Sequence, residues 1–206
     1  MSETMLAAVL ERPGELSLLR IPVPHAAEGE VVLQVEACGI CGSDLRYVAG
    51  GNPWAMQTLG RPKPSPPNMV LGHEVAGTIV EDPAGQRVGQ RAVLLAYQAC
   101  GTCFYCRRGR EHLCEHVRHH GHGAGWRGRD YNPGGLAERC AAPSSHALPL
   151  PESIGFDEAT LLDGLAVALH AVDLADVRPG DSVAVLGSGP LGLCLAQVAR
   201  ASGACT

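Results

Sequence analysis

The chain has 206 residues, 46% of them hydrophobic, and a formal net charge of −5 at neutral pH. The net charge is modest, and no stretch concentrates lysine and arginine. Both features argue against a nucleic-acid or membrane-surface partner. No apolar run reaches the roughly 18 residues that a membrane span needs, and the start of the chain lacks the pattern of an export signal. We therefore expect a cytoplasmic protein with a small-molecule partner.

The first three quarters of the chain consist of short apolar runs separated by glycine, proline and charged residues. Runs of this length, enriched in valine, indicate the strands of a barrel-like β domain. Residues 50–68 are interrupted repeatedly by proline and glycine, so we expect a long surface loop without regular structure there. Such a loop either lines a substrate entrance or is simply exposed to solvent.

Beyond residue 151 the pattern becomes helical. Apolar residues recur at helical spacing over residues 152–177, and Asp157 is placed to cap the N-terminus of that helix. The RPGD sequence at 178–181 predicts a tight turn, and SVAVLG at 182–187 predicts a short buried strand. The segment after this strand predicts a helix that ends near Gly203.

Four of the nine cysteines are closely spaced. Their C-x2-C-x2-C-x7-C spacing predicts thiolates around one point, and no vacant position would remain for a substrate. The sequence therefore predicts a structural zinc site, with an iron–sulfur centre or unpaired thiols as the alternatives. The four predicted ligands are Cys100, Cys103, Cys106 and Cys114.

A second set of metal-binding side chains is dispersed along the chain. Cys41 follows one apolar strand, and His73 and Glu74 begin another. Asp163 lies in an apolar helical segment, where an unpaired carboxylate is costly unless a cation or hydrogen-bond donors meet it. A thiolate, an imidazole and a carboxylate leave a fourth zinc position open, which is the arrangement of catalytic zinc. Taken singly, a cysteine or histidine at a strand end is more often a packed residue than a ligand.

The sequence VAVLGSGPLG places a GxGxxG motif between the predicted strand and the predicted helix. Glycines there permit a tight turn and close approach of a pyrophosphate to the helix N-terminus. The acidic residue that holds the ribose is expected about 20 residues further on, beyond the last residue of this chain. The predicted cofactor-binding residues are Gly187, Gly189, Pro190, Leu191 and Gly192.

Taken together, CGICGSD, GHE, the four-cysteine segment and the later GxGxxG resemble the zinc-containing medium-chain dehydrogenases that act on alcohols, polyols and threonine. The resemblance covers nearly the whole chain. It implies a GroES-like β-barrel catalytic domain over residues 1–155 and the first strand and helix of an incomplete Rossmann domain over residues 156–206. It also implies two zinc ions per chain, one catalytic and one structural, and NAD or NADP.

The resemblance assigns roles to individual residues. It implies that Cys41 and His73 bind the catalytic zinc with Asp163 as third ligand, although Gly164 replaces the usual following proline. It implies that Glu74 binds the same metal directly or through water.

Two residues beside Cys41 also match the family. Ser43 matches the hydroxyl that accepts the alcohol proton, and Asp44 matches the partner that orients the zinc-bound histidine. Turn chemistry after a strand is the alternative interpretation of both residues. Arg46 stands where many alcohol dehydrogenases have a histidine that passes the proton to solvent, so the second step of that relay is not predicted.

Several further histidines crowd a basic, glycine-rich stretch, which we predict to be a solvated loop rather than another metal site. They are His112, His116, His119, His120 and His122. We predict packing roles for the remaining cysteines, which are Cys38, Cys140, Cys194 and Cys205.

These features predict a zinc-dependent oxidoreductase that oxidises a secondary alcohol or polyol, or reduces the ketone, with NAD(P). The alternative is a truncated, inactive zinc-binding fragment or subunit that needs a second chain to complete the nucleotide domain. A zinc-independent relative of the quinone reductases is disfavoured because both sets of zinc ligands are present. For the intact enzyme the resemblance implies a homo-oligomer. The sequence does not predict the alcohol or the choice between NAD and NADP.

Overall fold

A computed structural model describes residues 3–123 and 130–205 and, at 57–59, the backbone alone. The chain divides into two compact units, Met1–Thr160 and Leu161–Thr206. The domain boundary predicted between residues 155 and 156 stays a prediction. None of the helices in these described ranges is long and apolar enough to cross a membrane.

Antiparallel β-structure dominates the described part of the first unit, as the short apolar runs predict. Its strands form one sheet in the order β2-β1-β4, a second in the order β10-β6-β5-β3-β9, and a two-stranded ribbon of β7 and β8. The strands are β1 (Thr4–Arg12), β2 (Glu15–Pro22), β3 (Glu30–Gly39), β4 (Met69–Val70), β5 (Glu74–Glu81), β6 (Arg91–Leu94), β7 (Tyr97–Gln98), β8 (Arg118–His119), β9 (Arg139–Pro143) and β10 (Ala147–Pro149).

The five-stranded sheet supplies the main core of this unit. Val31 and Leu33 of β3 pack with Val75 and Ile79 of β5, and all four side chains are fully buried. Burying an aliphatic side chain of this size contributes about 1.5–3 kcal/mol. The β3–β5 pair is therefore a rigid base for the residues at its two ends.

A short helix, α2 (Pro53–Leu59), lies within residues 50–68, so the prediction of a wholly irregular loop was wrong. Asn52 caps it by accepting a hydrogen bond from the Ala55 N–H at 3.0 Å. Proline is tolerated at the first helical position because its missing N–H has no partner there in any helix. Gly60 ends the helix in the left-handed conformation. The proline and glycine that indicated a loop are thus the start and stop signals of a helix.

Two other helices belong to the first unit, α1 (Gly42–Val48) and α3 (Phe156–Ala159). The prediction that Asp157 caps the second of these was wrong, because Gly155 occupies the N-cap position. The Gly155 N–H donates to the Glu158 carboxylate at 2.9 Å, so Glu158 supplies the polar partner. Asp157 lies in the first turn, where its charge complements the helix dipole.

The second unit contains α4 (Leu162–Leu174) and α5 (Pro190–Ala201). The predicted turn is present, since the Arg178 N–H donates to the Asp181 carboxylate at 2.8 Å. Helix α5 ends just before Gly203, as predicted.

The strand predicted over residues 182–187 is the exception. Among the described residues of this unit it forms only one bridge, a parallel pairing of Ser182 with Cys205. Strand structure depends on hydrogen bonds to a neighbouring strand, and a single bridge does not form one. The apolar sequence is present, but the neighbours that would hold it in a sheet are few.

Candidate functional site

The four-cysteine segment folds into a lobe, residues 100–114, with all four sulfur atoms within 4.8 Å of one another. Backbone N–H groups point at these sulfurs: Cys103 donates to Cys100 Sγ at 3.4 Å and Cys106 donates to Cys103 Sγ at 3.5 Å. Hydrogen bonds from backbone N–H groups stabilise a thiolate, and the one from Thr102 is the main reason that the pKa of Cys100 falls to about 6. The lobe thus offers the donor set of a closed, structural zinc site.

This lobe has little other means of support. Its buried cluster consists of Cys103, Cys106 and Cys114, with Tyr105 and Val117 packed against them. A segment with so small an apolar core gains its order mainly from the ion that its ligands hold. The lobe connects β7 to β8, so its order also bears on the ribbon that these strands form.

The second group of donors is assembled by the register of the main sheet. Gly39 at the end of β3 pairs with Glu74 at the start of β5. Cys41 lies just beyond β3 and His73 just before β5, so the pairing brings the two ligand segments together. The donor atoms of Cys41, His73 and Glu74 lie within 4.8 Å of one another. A thiolate, an imidazole and a carboxylate suit zinc and leave a position open.

Asp44 ties these two segments to each other and is itself buried. One carboxylate oxygen accepts the Cys41 N–H at 2.9 Å and the other accepts the Gly72 N–H at 3.1 Å. These bonds fix the backbone beside Cys41 and His73. The orientation of the His73 ring by Asp44 stays a prediction.

Polar contacts in the second group favour a thiolate at Cys41, against the effect of burial, which raises the pKa of a thiol. A side-chain hydrogen bond with His73 is the main cause that lowers the pKa of Cys41. His73 is only 5% exposed, whereas Cys41 and Glu74 are half-buried. His73 is therefore shielded from solvent, whereas Cys41 and Glu74 are partly accessible to it.

Asp163 lies in the second unit, in the first turn of α4, and its side chain is exposed. A buried, unpaired carboxylate would require a cation, but the exposed Asp163 does not. A carboxylate in the first turn is favourable through the helix dipole alone. Its ligation of zinc stays a prediction that rests on the resemblance.

The prediction of a solvated histidine loop was correct for His112 and His116, which are exposed, but wrong for three others. His120 is fully buried: it accepts from Gln98 Nε2 at 2.9 Å and donates through Nε2 to the Ala141 carbonyl at 2.8 Å. Burial lowers the pKa of His120 to about 4. His120 therefore has a structural role, since it joins Gln98 of β7 to Ala141 of β9.

His119 and His122 pack against His73, which belongs to the second group of donors. Their rings lie 4.3 Å apart, and their centroids are 5.5 and 4.7 Å from that of His73. The Nε2 atom of His122 is 3.4 Å from the Ser43 hydroxyl oxygen. Burial, followed by the neighbouring His119 and His73, lowers the pKa of His122 to about 2. Sequence reasoning missed these residues because only the pairing of β7 with β8 and the turn after it brings them to His73.

A cavity of about 1440 Å³ opens beside these histidines. His119 and His122 line it on one side, and Trp54, Lys63 and Pro66 line it on another. The last three belong to residues 50–68, so that segment lines a cavity, and its role at a substrate entrance stays a prediction. The volume is ample for a sugar-sized molecule.

The glycine motif of the second unit lies at the N-terminus of α5, and its binding of a pyrophosphate stays a prediction. Gly187 has a φ of 112°, which side-chain-bearing residues rarely adopt, and Gly189 and Pro190 occupy the N-cap and first position of α5. A Cβ on Gly192 would lie 2.0 Å from the Gly187 carbonyl oxygen. The unpaired N–H groups at the start of this helix suit a pyrophosphate. Leu191 follows Pro190 in the first turn and is exposed.

Comparison with known proteins places the first unit in a family. The family model described as the alcohol dehydrogenase GroES-like domain matches residues 27–152. L-threonine 3-dehydrogenase of Pyrococcus horikoshii is 36% identical over 208 residues, covering 99% of this chain and 55% of the relative. Sorbitol dehydrogenase of Bombyx mori is 32% identical, covering 96% and 54%.

Solved structures of zinc-binding dehydrogenases also resemble this chain. A zinc-binding dehydrogenase of Sinorhizobium meliloti 1021, solved with NADP bound, matches 100% of this chain and 55% of its own, with a TM-score of 0.83 and 32% identity. The chain thus spans a little over half the length of the relatives it matches. The predicted fold class, a GroES-like domain followed by the beginning of a Rossmann domain, is confirmed. The chain belongs to the zinc-containing medium-chain dehydrogenase family, through its alcohol dehydrogenase GroES-like domain.

Proposed function

We propose that this chain provides the zinc-binding catalytic part of a dehydrogenase that oxidises a secondary alcohol or polyol, or reduces the ketone, with NAD or NADP. The observation that carries the proposal is the convergence of Cys41, His73 and Glu74 within 4.8 Å, beside the Ser43 hydroxyl. The relatives named for threonine and sorbitol support a hydroxyl-bearing substrate.

Each residue of the site would have a separate role in such a reaction. When bound, zinc lowers the pKa of the substrate hydroxyl and the nicotinamide accepts the hydride. Cys41 and His73 would hold the metal with Asp163 as the third predicted ligand, and Glu74 would bind it directly or through water. Ser43 would receive the hydroxyl proton while its own hydrogen passes to solvent through water. The four-cysteine lobe would hold a second, structural zinc.

The nucleotide is assigned to the second unit. The turn that contains Gly187, Gly189 and Gly192 would receive the pyrophosphate at the start of α5.

The test counts metal and activity together. The purified protein should hold two zinc ions per chain by mass spectrometry and form NADH or NADPH when an alcohol or polyol is added. Asp163→Ala should lose the catalytic zinc and keep the structural one. Retention of both metals by Asp163→Ala would remove that residue from the ligand set, and a wild type without any alcohol-dependent reduction would refute dehydrogenase activity of this chain alone.

A second candidate is a zinc-binding subunit that needs another chain to complete its nucleotide domain. The exposed apolar side chains of the second unit favour it, since Leu174 is 75% exposed and Leu186 is fully exposed. Calorimetry with NAD and NADP decides between the two candidates. Tight dinucleotide binding by the chain alone contradicts the subunit. The homo-oligomer and the cytoplasmic location stay predictions.

A further inference from the structure

A chain of polar contacts in the first unit runs from the Ser43 hydroxyl into the protein. His122 Nε2 is 3.4 Å from Ser43 Oγ, and His122 Nδ1 is 3.4 Å from the Tyr47 hydroxyl. The Tyr47 hydroxyl in turn lies 3.2 Å from Asn52 Oδ1. Tyr47, His122 and Asn52 are all buried. The direction of each hydrogen bond in this chain follows from the backbone groups at its far end.

Asn52 fixes the first direction. Its Oδ1 accepts from the Ala55 N–H at 3.0 Å, and its Nδ2 donates to the Pro64 carbonyl at 3.2 Å. A backbone N–H only donates and a backbone carbonyl only accepts, so the side-chain amide has one possible orientation. The Tyr47 hydroxyl therefore donates its hydrogen to Asn52 Oδ1.

Tyr47 fixes the next direction. A phenol has one hydrogen, and here Asn52 receives it. The Tyr47 oxygen already accepts from the Gly123 N–H at 3.2 Å, so it meets His122 as an acceptor as well. His122 Nδ1 must then carry a hydrogen, because a lone pair there would face the lone pairs of the Tyr47 oxygen. A neutral imidazole with its hydrogen on Nδ1 presents a lone pair at Nε2.

We propose that His122 is a positioning residue that accepts the Ser43 hydrogen at Nε2 and so leaves the Ser43 oxygen lone pairs available to the substrate hydroxyl. The inference rests on the proposed dehydrogenase function. Tyr47 and Asn52 select the imidazole tautomer, and the tautomer selects the orientation of the serine. Arg46, which replaces the relay histidine of the family pattern, is exposed and lies outside this chain of contacts.

The tautomer is measurable without any activity. Two-bond ¹⁵N–¹H spectra of the zinc-loaded protein labelled with ¹⁵N-histidine distinguish hydrogen on Nδ1 from hydrogen on Nε2. We expect the Nδ1–H form at His122, which is assigned by its loss in His122→Gln. Tyr47→Phe should shift His122 toward the Nε2–H form because the acceptor for Nδ1–H is gone, whereas Ser43→Ala should leave the tautomer unchanged. An Nε2–H form in the wild type, or no shift in Tyr47→Phe, overturns the inference.

Two substitutions at His122 separate its two hydrogen bonds. A glutamine amide reaches the place of Nε2 and offers an oxygen to Ser43, while an asparagine amide reaches the place of Nδ1 and keeps only the bond to Tyr47. We expect His122→Asn to lower kcat on the order of 10- to 100-fold with little change in KM, since a misplaced catalytic group costs that much. His122→Gln should recover most of this loss. Both variants should keep two zinc ions.

Equal loss of kcat in the two variants contradicts the positioning role, because a merely structural histidine would not distinguish them. The spectra and the kinetics also separate this inference from the function on which it rests. An active enzyme with the wrong tautomer refutes the inference alone. A protein with two zinc ions and the Nδ1–H form but without alcohol-dependent activity refutes the dehydrogenase alone.

Discussion

The two candidate metal centres are joined by one ribbon and are built in opposite ways. The four-cysteine lobe takes all its ligands from residues 100–114 and connects β7 to β8. The second centre takes Cys41 and His73 from beside the paired ends of β3 and β5, and His73 contacts the ring of His122, which follows β8. The first depends on its metal for order, whereas the second depends on the sheet. This difference predicts which substitutions affect folding and which affect chemistry.

The largest effect is expected in the lobe. Cys106→Ser removes one of four sulfurs from a segment that has almost no other core, and zinc binding in small structural sites is worth about 10–16 kcal/mol. We expect loss of one zinc ion and loss of amide protection over residues 100–114, with β3 and β5 still protected. Hydrogen exchange and zinc counting measure both effects. Protection of the lobe at the wild-type level would show that its order does not depend on the metal. Cys205→Ser, at an exposed cysteine, is the control.

Loss of order in the lobe should also displace the histidines that pack against His73. His119 lies in β8, and His122 follows it closely. If the ribbon loosens, these rings leave His73, so we expect the Cys106→Ser protein to lose activity even with its catalytic zinc in place.

The second largest effect is chemical. Cys41→Ser should lose the other zinc ion and lower activity by about 1000-fold or more, since metal polarisation supplies several kcal/mol of barrier reduction. The melting temperature should change little because Cys41 lies beyond the end of β3 and outside its core cluster. Cys38→Ala, on the same segment, is the matched control and should keep both metals. Two zinc ions in Cys41→Ser would exclude this cysteine as a ligand.

The same contrast explains what the sequence could predict. The lobe is local, so the spacing of Cys100 to Cys114 was sufficient to predict its four donors. Cys41 and His73 were recognised through their motifs, but their proximity requires the pairing of Gly39 with Glu74, which no local pattern contains. His122 had no signal at all, because its position depends on a ribbon of only two residues per strand. The α2 helix was missed because proline and glycine were counted as breakers without regard to their positions at its ends.

A smaller effect, on stability at acid pH, is expected at the buried His120. Burial lowers its folded pKa to about 4 from the ordinary 6.5, and His119 and His146 add to the lowering. Unfolded chains therefore bind a proton that folded chains do not between about pH 6.5 and 4, so stability is complete above this window and falls as the pH drops through it. A shift of this size corresponds to roughly 3 kcal/mol at most.

Urea unfolding at neutral and at acid pH measures how much stability is lost through protonation of His120. His120→Gln should lose less stability than the wild type on acidification, because an amide still donates to the Ala141 carbonyl but binds no proton. Metal release at low pH also costs stability, so the comparison is with His112→Gln, at an exposed histidine, which should behave as the wild type. Equal acid sensitivity in the two variants would assign the loss to groups other than His120.

The smallest effect is expected at Glu74, and it addresses how the second centre is closed. Glu74→Gln keeps an oxygen at the same place but removes its charge, so we expect zinc affinity there to fall by about 10- to 100-fold, as for a partner that tunes a metal. Glu81→Gln, at the other end of β5, is the matched control and should bind zinc as the wild type does. Competition with a zinc chelator measures both affinities. An unchanged affinity in Glu74→Gln would mean that the Glu74 charge does not reach the metal.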